Sequence, residues 1–550
     1  MNKSMTANRY LKALDTSDIG LWISDSNGKI LFSNQAFYQP FALSHLGASA
    51  EDWYQFIHPD DRDAFVAQLK TYQANAKLGD EFNYTMRIQN ASGKYRWIET
   101  QIRCDSDEIG KYFVGSNKDV STHKKLIRQI EKLAFYNRLT GLPNYSKLER
   151  DFNQLEGKFA LIRVFRLNYN SEVVRSGLPL VISQIQSNVE AAYKYYADIP
   201  MTIYQTNADS YAILISKHMT PQEITEFSTS FKAQLDASIL QNEHTSAQVV
   251  FGAYLSDARK EDLNLAWALA SETCEYAKRH SDNQFAIYDQ KVGAKIDREL
   301  YIERSLAGAI NRQEQTIALQ PIINSQSGKV DYFEALSRWY DKQLGQIFPD
   351  EYIPVAERKD IIANLGLGVL EKSCQFLVEY QKRWQTPMVV SINVSVVELL
   401  KQGFSSQVQM VIDRYNLTKE NFIFEVTETV LLEDKAYAID EIIAMADSGF
   451  QFSMDDYGSG HGSILNFLRL PFKGIKIDRM FAWDAKPNSP SYEYLQLLTQ
   501  MCQKYGVKVT MEGVEDEEMA QRFRDIGVNH LQGYHFSHPL EPAQALKLAP

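Results

Sequence analysis

Cysteine and long apolar runs are both scarce in this sequence. The four cysteines are scattered without paired spacing, at Cys104, Cys274, Cys374 and Cys502, which excludes a disulfide framework and a cysteine-based zinc site. No apolar run reaches the roughly 18 residues that a membrane span needs, and the N-terminal residues lack the apolar core of a signal peptide. These absences predict a cytoplasmic protein that does not enter the membrane.

Positive charge is also in deficit. The formal net charge is −11 at pH 7, which argues against non-specific binding to nucleic acid or to an anionic membrane surface. An anionic substrate therefore has to meet a local source of positive charge, such as metal ions. The length gives a further bound, because 550 residues predict three or four domains rather than one.

The most informative stretch runs from Phe452 to Gly460, where apolar residues lead into Asp455 and Asp456 and then into a glycine-rich turn. Neighbouring residues on a strand point to opposite faces, so these two carboxylates can serve one site only where the strand ends and the backbone turns. Glycines 458 and 460 allow such a turn. Adjacent carboxylates repel each other unless cations lie between them, and the stretch therefore predicts a pair of divalent metal ions.

The last 250 residues repeat this pattern of an apolar run that ends at a polar residue. The strand candidates are Thr316–Gln320, Val330–Glu334, Met388–Asn393, Phe422–Glu425, Phe452–Asp455, Gly474–Lys476, Val507–Glu512 and His530–Gln532. Amphipathic, helix-length stretches separate most of them, which implies βα units. Eight such strands in about 250 residues imply a TIM-like barrel, whose active site gathers at the carboxyl ends of the strands.

The connection between the first two of these strands is too short for a parallel pair. Only the polar turn at residues 324–329 joins them, whereas a parallel crossover needs a dozen or more residues. We therefore expect the first strand of the barrel to run antiparallel to the second.

Residues 10–120 predict a small α+β sensor. Alternating segments such as 81–88 and 95–100 have the pattern of half-buried strands. With the run that begins at His58 and the closing segment 114–119, this part of the chain resembles a PAS domain. The resemblance implies a sensor, but the sequence does not name its ligand. His58 is open to two interpretations, a haem ligand or the cap of a helix, and a lone histidine is far more often structural.

Residues 121–135 predict a helix that connects this sensor to the rest of the chain. Ser121 is a candidate cap, and Leu126, Ile130 and Leu133 fall on one stripe at helical spacing. Such a stripe either pairs with its copy in a homodimer or packs on its own domain. The sequence does not decide between these two.

Residues 136–290 resemble a GGDEF nucleotide cyclase domain, beginning with the motif at residues 139–144. Where that family has two glycines and a glutamate, the chain has Asn207, Ala208 and Ser210. Arg163 and Phe165 stand where the metal-binding aspartates belong. A phosphoryl-transfer site without metal ligands cannot neutralise the developing charge.

This domain is therefore predicted to be an inactive, degenerate cyclase that is kept for packing or regulation. Side chains in place of the glycines weigh against GTP binding. The residues of the family's product-inhibition site are missing too, since Asp198 and Met201 occupy those positions. Cyclase activity of the chain, alone or beside a second activity, is excluded on the same grounds.

From about residue 300 to 550 the chain resembles the EAL family, phosphodiesterases of the bacterial messenger cyclic di-GMP. The motifs that carry the resemblance are Glu334-Ala335-Leu336-Ser337-Arg338, Asn393-Val394-Ser395, Glu425-Val426-Thr427-Glu428, Asp455-Asp456, Lys476-Ile477-Asp478, Glu512-Gly513-Val514-Glu515 and Gln532-Gly533-Tyr534. One acidic residue at a strand end is weak evidence, because helix caps and salt bridges use such residues too. All of them in the family's order on successive strands form a specific signal.

The resemblance implies a two-metal site for opening cyclic di-GMP to linear pGpG. It makes Glu334, Asn393, Glu425 and Asp455 ligands of one ion, and Asp455, Asp456 and Glu512 ligands of a second. All are hard oxygen donors, the type that Mg²⁺ and Mn²⁺ prefer. Two ions about 3.5–4 Å apart stabilise both the attacking and the leaving oxygen of a phosphodiester.

The remaining site residues receive roles in the same way. Lys476 is expected at the centre of the acidic set, either as a salt-bridge partner or orienting the attacking water, and Glu512 is the candidate general base. With Glu334 and Asp456 these two make up the predicted catalytic set. Gln320, Arg338 and Gln532 are expected to contact substrate, Arg338 because a guanidinium suits a phosphate oxygen. Glu428 and Glu515 are expected to brace the loop at residues 458–463.

That loop departs from the family, with Ser459, His461 and Gly462 where threonine, an aromatic residue and serine are usual. The departures concern regulation and not metal ligation. Overall the sequence predicts a multidomain α+β and α/β protein, with a PAS sensor, a cyclase-like domain and a barrel. A non-catalytic receptor of cyclic di-GMP is the alternative function, and the complete ligand set argues against it.

Overall fold

The computed structural model describes most of the chain. The described residues are 9–10, 12–38, 51–167, 170, 177–240, 249–281, 283–428, 436–458, 467, 470–487 and 489–550. The chain divides into two units, Met1–Tyr288 and Asp289–Pro550. Among the described residues, no helix combines the length and the apolarity that crossing a membrane requires.

The first unit begins with a five-stranded antiparallel sheet in the order β2-β1-β5-β4-β3. Its strands are β1 Gly20–Asp25, β2 Ile30–Ser33, β3 Glu81–Gln89, β4 Tyr95–Ser106 and β5 Lys111–Asp119, and its helices are Gln35–Tyr38, Glu51–Tyr54 and Pro59–Asn75. Strand alternation buries Ile98, Ile102 and Cys104 on one face, where they form a core with Phe65 and Leu69 of the long helix. The alternating pattern in the sequence thus marks real half-buried strands.

Two capping expectations have different outcomes. His58 is the residue that caps the helix Pro59–Asn75, since its Nδ1 accepts from Asp60 N at 3.3 Å. The expected cap at Ser121 is wrong, because the helix Ser121–Phe135 includes Ser121 and is preceded by Val120. The Ser121 hydroxyl instead accepts from Trp97 N at 2.8 Å.

The apolar stripe of the helix Ser121–Phe135 does not pack on its own domain. Leu126, Ile130 and Leu133 are 50%, 62% and 55% exposed, and no residue of the helix is buried. Pairing of this stripe with a second copy stays a prediction.

The first unit also contains a second five-stranded sheet, in the order β10-β9-β6-β8-β7. Its strands are β6 Lys158–Arg166, β7 Met201–Gln205, β8 Ser210–Ile215, β9 Val249–Asp257 and β10 Phe285–Ile287, and its helices are Tyr145–Asn153, Leu178–Tyr195, Pro221–Leu240 and Leu263–His280. Arg163 lies on the central strand β6. Its guanidinium stacks 3.9 Å from the centroid of the Trp267 ring and donates to Thr206 Oγ1 at 2.9 Å.

The second unit is a barrel. Its strands are β11 Gln315–Asn324, β12 Val330–Asp341, β13 Gly345–Ile347, β14 Val390–Asn393, β15 Phe422–Thr427, β16 Gln451–Tyr457, β17 Phe472–Ile477, β18 Lys508–Met511 and β19 His530–Leu531. They follow the order β11-β19-β18-β17-β16-β15-β14-β12-β13, and the β11–β12 pairing closes the ring. The expected antiparallel pairing of β11 with β12 is confirmed.

Helices surround this barrel. They are Gln290–Asn311, Pro349–Arg358, Ile362–Trp384, Val396–Leu399, Phe404–Arg414, Ala436–Asp447, Arg479–Asp484, Pro490–Lys504, Glu517–Ile526 and Pro542–Ala545, with a 3-10 turn at Lys419–Asn421. Fully buried strand residues such as Phe333, Val390 and Phe452 pack in one core with helix residues such as Leu377 and Leu495. This core fixes the strands whose ends carry the polar residues.

Candidate metal centre

The predicted ligands lie at one rim of the barrel. Strands β14 to β17 are parallel, with Asn393 paired to Glu425 and Thr427 to Asp455 in register. Glu512 and Gln532 follow directly after β18 and β19. Carboxyl ends of parallel strands converge at one end of a barrel. The rim residues Glu334, Glu425, Asp455, Lys476 and Gln532 are each at most 8% exposed.

Lys476 lies at the centre of this cluster. Its Nζ forms four ion pairs, with Glu334 Oε2 at 3.1 Å, Glu425 Oε2 at 3.1 Å, Asp455 Oδ1 at 3.2 Å and Glu512 Oε1 at 2.7 Å. These contacts agree with the salt-bridge interpretation of Lys476. One ammonium ion does not neutralise four carboxylates.

Amide side chains orient Glu334. Asn393 Nδ2 donates to Glu334 Oε1 at 2.9 Å, and Gln532 Nε2 donates to Glu334 Oε2 at 2.7 Å. Gln532 Nε2 also lies 3.2 Å from Gln320 Oε1, while Gln320 Nε2 donates to Ser537 O at 3.2 Å. With its nitrogen committed to Glu334, Asn393 keeps its oxygen Oδ1 for a cation.

The two adjacent aspartates reach one site through an unusual backbone. Asp456 has a φ of 55°, in the left-handed region that aspartate visits more readily than most residues. The register of β16 against β17 shifts at this point, between Met454 and Tyr457. The sequence assigned the turn to the glycines, but the turn begins at Asp456 itself, ahead of Gly458. The rest of the loop at 458–463 lies outside the described residues.

The electrostatics of the cluster reflect buried negative charge. Burial disfavours the Lys476 ammonium ion, yet the surrounding carboxylates raise the pKa of Lys476 well above its ordinary value. Burial, followed by repulsion within the cluster, raises the pKa of Glu425 and of Asp455. For the same reasons the pKa of Glu512 is raised to about 8 and that of Asp456 to about 6.

Glu334 behaves differently. Burial by itself would raise the pKa of Glu334, but Lys476 and the donors Gln532 and Asn393 hold it below the ordinary value. Glu334 thus stays ionised while its neighbours resist ionisation, and additional positive charge would relieve the whole cluster.

The donor set fits a pair of divalent ions. Oxygens of Glu334, Glu425 and Asp455 lie within 4.8 Å of one another, as do oxygens of Asp455, Asp456 and Glu512. Asp455 belongs to both groups, so it is placed to bridge. Two buried oxygens, Glu425 Oε1 and Gln532 Oε1, have no hydrogen-bond partner among the described residues. Carboxylate and amide oxygens suit Mg²⁺ or Mn²⁺.

A cavity of about 440 Å³ opens beside the cluster and reaches Asn393 and Glu425. Arg338 lines it, with Nη1 donating to Ser337 O at 2.8 Å. The predicted strand Val330–Glu334 leaves Arg338 beyond its end, which is wrong. Strand β12 continues to Asp341 because it also pairs with β13.

Two acidic residues of this cavity were missed from the sequence, Glu357 and Glu398. Glu398 is buried, and burial raises its pKa to about 8. Ser395 and Glu398 form a reciprocal capping box at the helix Val396–Leu399. The Ser-x-x-Glu spacing of Ser395 and Glu398 is the sequence signal that could have predicted this capping box.

Glu428 and Glu515, the residues expected to brace the loop at 458–463, lie in different surroundings. Glu428 Oε2 accepts from Gly458 N at 3.1 Å, at the start of the loop it is expected to brace. Glu515 is exposed and lies outside the two groups of metal-ligand candidates. Its bracing role stays a prediction.

Comparison with known proteins identifies the class of two domains. Residues 303–539 match the EAL domain, and residues 30–116 match the PAS fold. The chain therefore carries an EAL domain and a PAS-fold domain, in agreement with the two resemblances seen in the sequence.

Relatives extend this picture. An uncharacterised protein of Sinorhizobium fredii is 25% identical over 559 residues, covering 98% of this chain and 66% of that protein. The cyclic di-GMP phosphodiesterase PdeB of Shewanella oneidensis is 25% identical over 488 residues, covering 84% of this chain and 55% of PdeB. The chain spans between 45% and 66% of the length of the first three curated relatives it matches.

The S helix-GGDEF-EAL part of LapD from Vibrio cholerae, solved with c-di-GMP, has a related fold. It aligns with a TM-score of 0.50 at 13% identity, over 75% of this chain and 98% of that structure. At this identity the likeness concerns the fold alone. Because the aligned share exceeds the EAL domain, it agrees with a cyclase-like α/β fold ahead of the barrel.

Proposed function

We propose that this protein is a phosphodiesterase that uses two Mg²⁺ or Mn²⁺ ions to hydrolyse cyclic di-GMP to linear pGpG. One observation carries the proposal, namely the two groups of oxygen donors that share Asp455 around the buried Lys476. The match to the EAL domain and the similarity to the cyclic di-GMP phosphodiesterase PdeB support the choice of substrate.

Different residues of the site would bind the ions, balance charge and orient the ligands. Glu334, Asn393, Glu425 and Asp455 would hold one ion, and Asp455, Asp456 and Glu512 the other. Ions bound there supply Lewis-acid stabilisation of the phosphodiester oxygens. Lys476 balances the remaining carboxylate charge, and the amides of Asn393 and Gln532 fix the orientation of Glu334.

Glu512 is the proposed general base. Its Oε1 is paired with Lys476 at 2.7 Å, and its Oε2 would hold the second ion through water and accept a proton from the attacking water. Arg338 is the proposed clamp for a substrate phosphate, and the cavity it lines receives part of the dinucleotide. Gln320 and Gln532, which lie beside Glu334, are proposed to position the substrate together with Arg338.

The decisive experiment is chromatography of cyclic di-GMP after incubation with the purified chain and Mg²⁺ or Mn²⁺. Linear pGpG that forms with the ions and not with EDTA is the expected product. Tight binding of cyclic di-GMP without any product would replace the enzyme by the alternative, a non-catalytic receptor.

Several further expectations accompany this function as proposals. The segments 10–120, 121–135, 136–290 and 300–550 are proposed as sensor, connecting helix, inactive cyclase and phosphodiesterase, with the first three regulating the last. The protein is proposed to act in the cytoplasm as a homodimer. The substitutions at Asn207 and Ala208 weigh against GTP as a ligand of the cyclase-like domain.

A further inference from the structure

A second layer of polar residues lies inside the barrel, directly below the metal-ligand candidates. Side chains two residues apart on a strand share a face. Tyr332, Thr510 and His530 precede Glu334, Glu512 and Gln532 by two residues each. These three residues are 8%, 3% and 2% exposed. Polar groups buried this deeply are costly unless hydrogen bonds satisfy them.

They are connected in a row. Tyr332 OH lies 3.2 Å from Thr510 Oγ1, and Thr510 Oγ1 lies 3.5 Å from His530 Nδ1, the outer limit of a hydrogen bond. His530 Nε2 is 2.6 Å from Asp331 Oδ2. The His530 ring also packs edge-on against the Tyr332 ring, with centroids 5.2 Å apart. We call these four residues the cross-barrel network.

The network joins β12 to two strands that are not its neighbours in the sheet, β18 and β19. Tyr332 and Asp331 lie on β12, Thr510 on β18 and His530 on β19. In the sheet order, β11 and β19 separate β12 from β18, and β11 separates β12 from β19. The Tyr332–Thr510 contact therefore crosses the barrel interior instead of following the sheet. It links the strand that carries Glu334 to the strand that leads into Glu512.

Asp331, at one end of the network, determines which group donates in each hydrogen bond. A carboxylate only accepts hydrogen bonds, so Asp331 requires the proton of a neutral His530 on Nε2. Burial lowers the pKa of His530 against the effect of Asp331, which favours the neutral ring. Nδ1 then accepts from the Thr510 hydroxyl, and Thr510 Oγ1 accepts from Tyr332 OH. Each donated proton points towards Asp331 and away from the metal-ligand candidates.

We propose that the cross-barrel network sets the spacing of the two metal-ligand groups and keeps the Tyr332 hydroxyl from donating to their carboxylates. Asp331 and His530 are positioning residues, since neither belongs to the two groups of ligand candidates. The inference rests on the proposed two-metal function. Its direct consequence is a second ion that binds at the correct distance from the first.

Mn²⁺ alone is the probe, in the full-length chain. Electron paramagnetic resonance reports both how many Mn²⁺ ions bind and how strongly two of them couple, which depends on their separation. We expect His530→Phe to weaken binding of the second Mn²⁺ by about ten-fold or more, the usual effect of losing a residue that orients a ligand. The coupling between the ions should change as well, and kcat should fall more than KM rises.

Matched variants separate positioning from packing. Thr510→Val keeps the side-chain shape and removes the hydroxyl, so it should resemble His530→Phe even where the phenylalanine variant folds poorly. Asp331→Leu should show the same loss, and Asp331→Asn should recover most of the affinity because its amide oxygen still accepts from His530. Lys508→Ala is the control. Lys508 lies 3.9 Å from Asp331 at the surface, and its removal should leave Mn²⁺ binding unchanged.

The outcomes are distinct from those of the proposed function. Unaltered Mn²⁺ affinity and coupling in both His530→Phe and Thr510→Val would overturn the network's role while leaving hydrolysis of cyclic di-GMP intact. A wild-type chain that binds coupled Mn²⁺ but forms no pGpG would overturn the proposed function instead, and the variants would still test the spacing of the ions.

Discussion

Two cations on interior strands, Arg163 in the cyclase-like sheet and Lys476 in the barrel, have opposite surroundings. The Arg163 guanidinium faces an aromatic ring, a hydroxyl and a carbonyl oxygen, namely Trp267, Thr206 Oγ1 and Tyr211 O. Burial lowers the pKa of Arg163. Lys476 faces four carboxylates, which raise its pKa.

The difference separates a cation with neutral contacts from one that lies within the candidate metal centre. The groups that contact Arg163 directly are neutral, and the nearby carboxylates of Asp209 and Glu275 offset only part of the effect of burial on its pKa. Around Lys476 the carboxylates outnumber the cation, and the surplus is what divalent ions would neutralise. A buried charge on a strand is thus informative only together with the charges that face it.

The largest effect is expected from removing a carboxylate of the surplus. Loss of a residue that only orients a metal ligand typically lowers activity by roughly 10–100-fold. Glu334→Ala removes a proposed ligand itself, so it should reduce hydrolysis of cyclic di-GMP by more than that. Folding should survive, because the side chain lies at the barrel rim and not in its apolar core. Rates of pGpG formation and circular dichroism check both statements. Glu518→Ala is the matched control, since Glu518 is 87% exposed, and near-normal turnover by Glu334→Ala would contradict the assignment.

Removing the central cation should affect stability in a metal-dependent way. Lys476→Met leaves the four carboxylates facing one another, and we expect a loss of about 3–5 kcal/mol in the free energy of unfolding of the barrel. Mn²⁺ should restore part of this loss. Denaturant unfolding with EDTA and with Mn²⁺ measures it. An equal loss under both conditions would show that the carboxylates do not hold ions.

Glu398 is a third buried charged residue to compare with Arg163 and Lys476, and it is an acid whose pKa is raised. Its pKa of about 8 exceeds the ordinary 4.5 because of burial, so folding favours the protonated form. This contribution to the free energy of unfolding is complete below pH 4.5 and is lost as the pH rises through 8. The loss is about 1.4 kcal/mol per pH unit, a few kcal/mol in total. We expect Glu398→Gln to flatten the decline between pH 5 and 8 in denaturant titrations, whereas Glu518→Gln should not alter it.

The smallest effect is expected at Arg163, the cation with neutral contacts. Arg163→Met should lower the free energy of unfolding of the first unit by about 1–2 kcal/mol, from the lost contact with Trp267 and the lost hydrogen bonds. The loss should be the same with and without Mn²⁺. Arg259→Met, at a site where the side chain is 70% exposed, should cost no more than about 0.5 kcal/mol. A Mn²⁺-dependent change at Arg163 would remove the distinction between the two cations.

Much of the barrel could be predicted from the sequence because its signals are local. Each apolar run followed by a polar residue marks a strand and its carboxyl end, and the short turn at 324–329 determines the antiparallel first pair. The errors arose where pairing with another segment changes local structure. Strand β12 includes Arg338 because Arg338 pairs with Thr316 of β11, and β13 pairs with the residues that follow. Ser121 begins a helix, and its hydroxyl accepts a hydrogen bond from Trp97 N.

The sequence by itself determined which segments become strands and which residues end them, because these depend on neighbours along the chain. Only the tertiary structure decided that four carboxylates meet Lys476, that Asp456 adopts the left-handed backbone, and that Tyr332 contacts Thr510 across the barrel. Those contacts join residues separated by up to 178 positions. They exist only in the closed sheet, in which β11 pairs with β12 across a short turn and also with β19 from the far end of the unit.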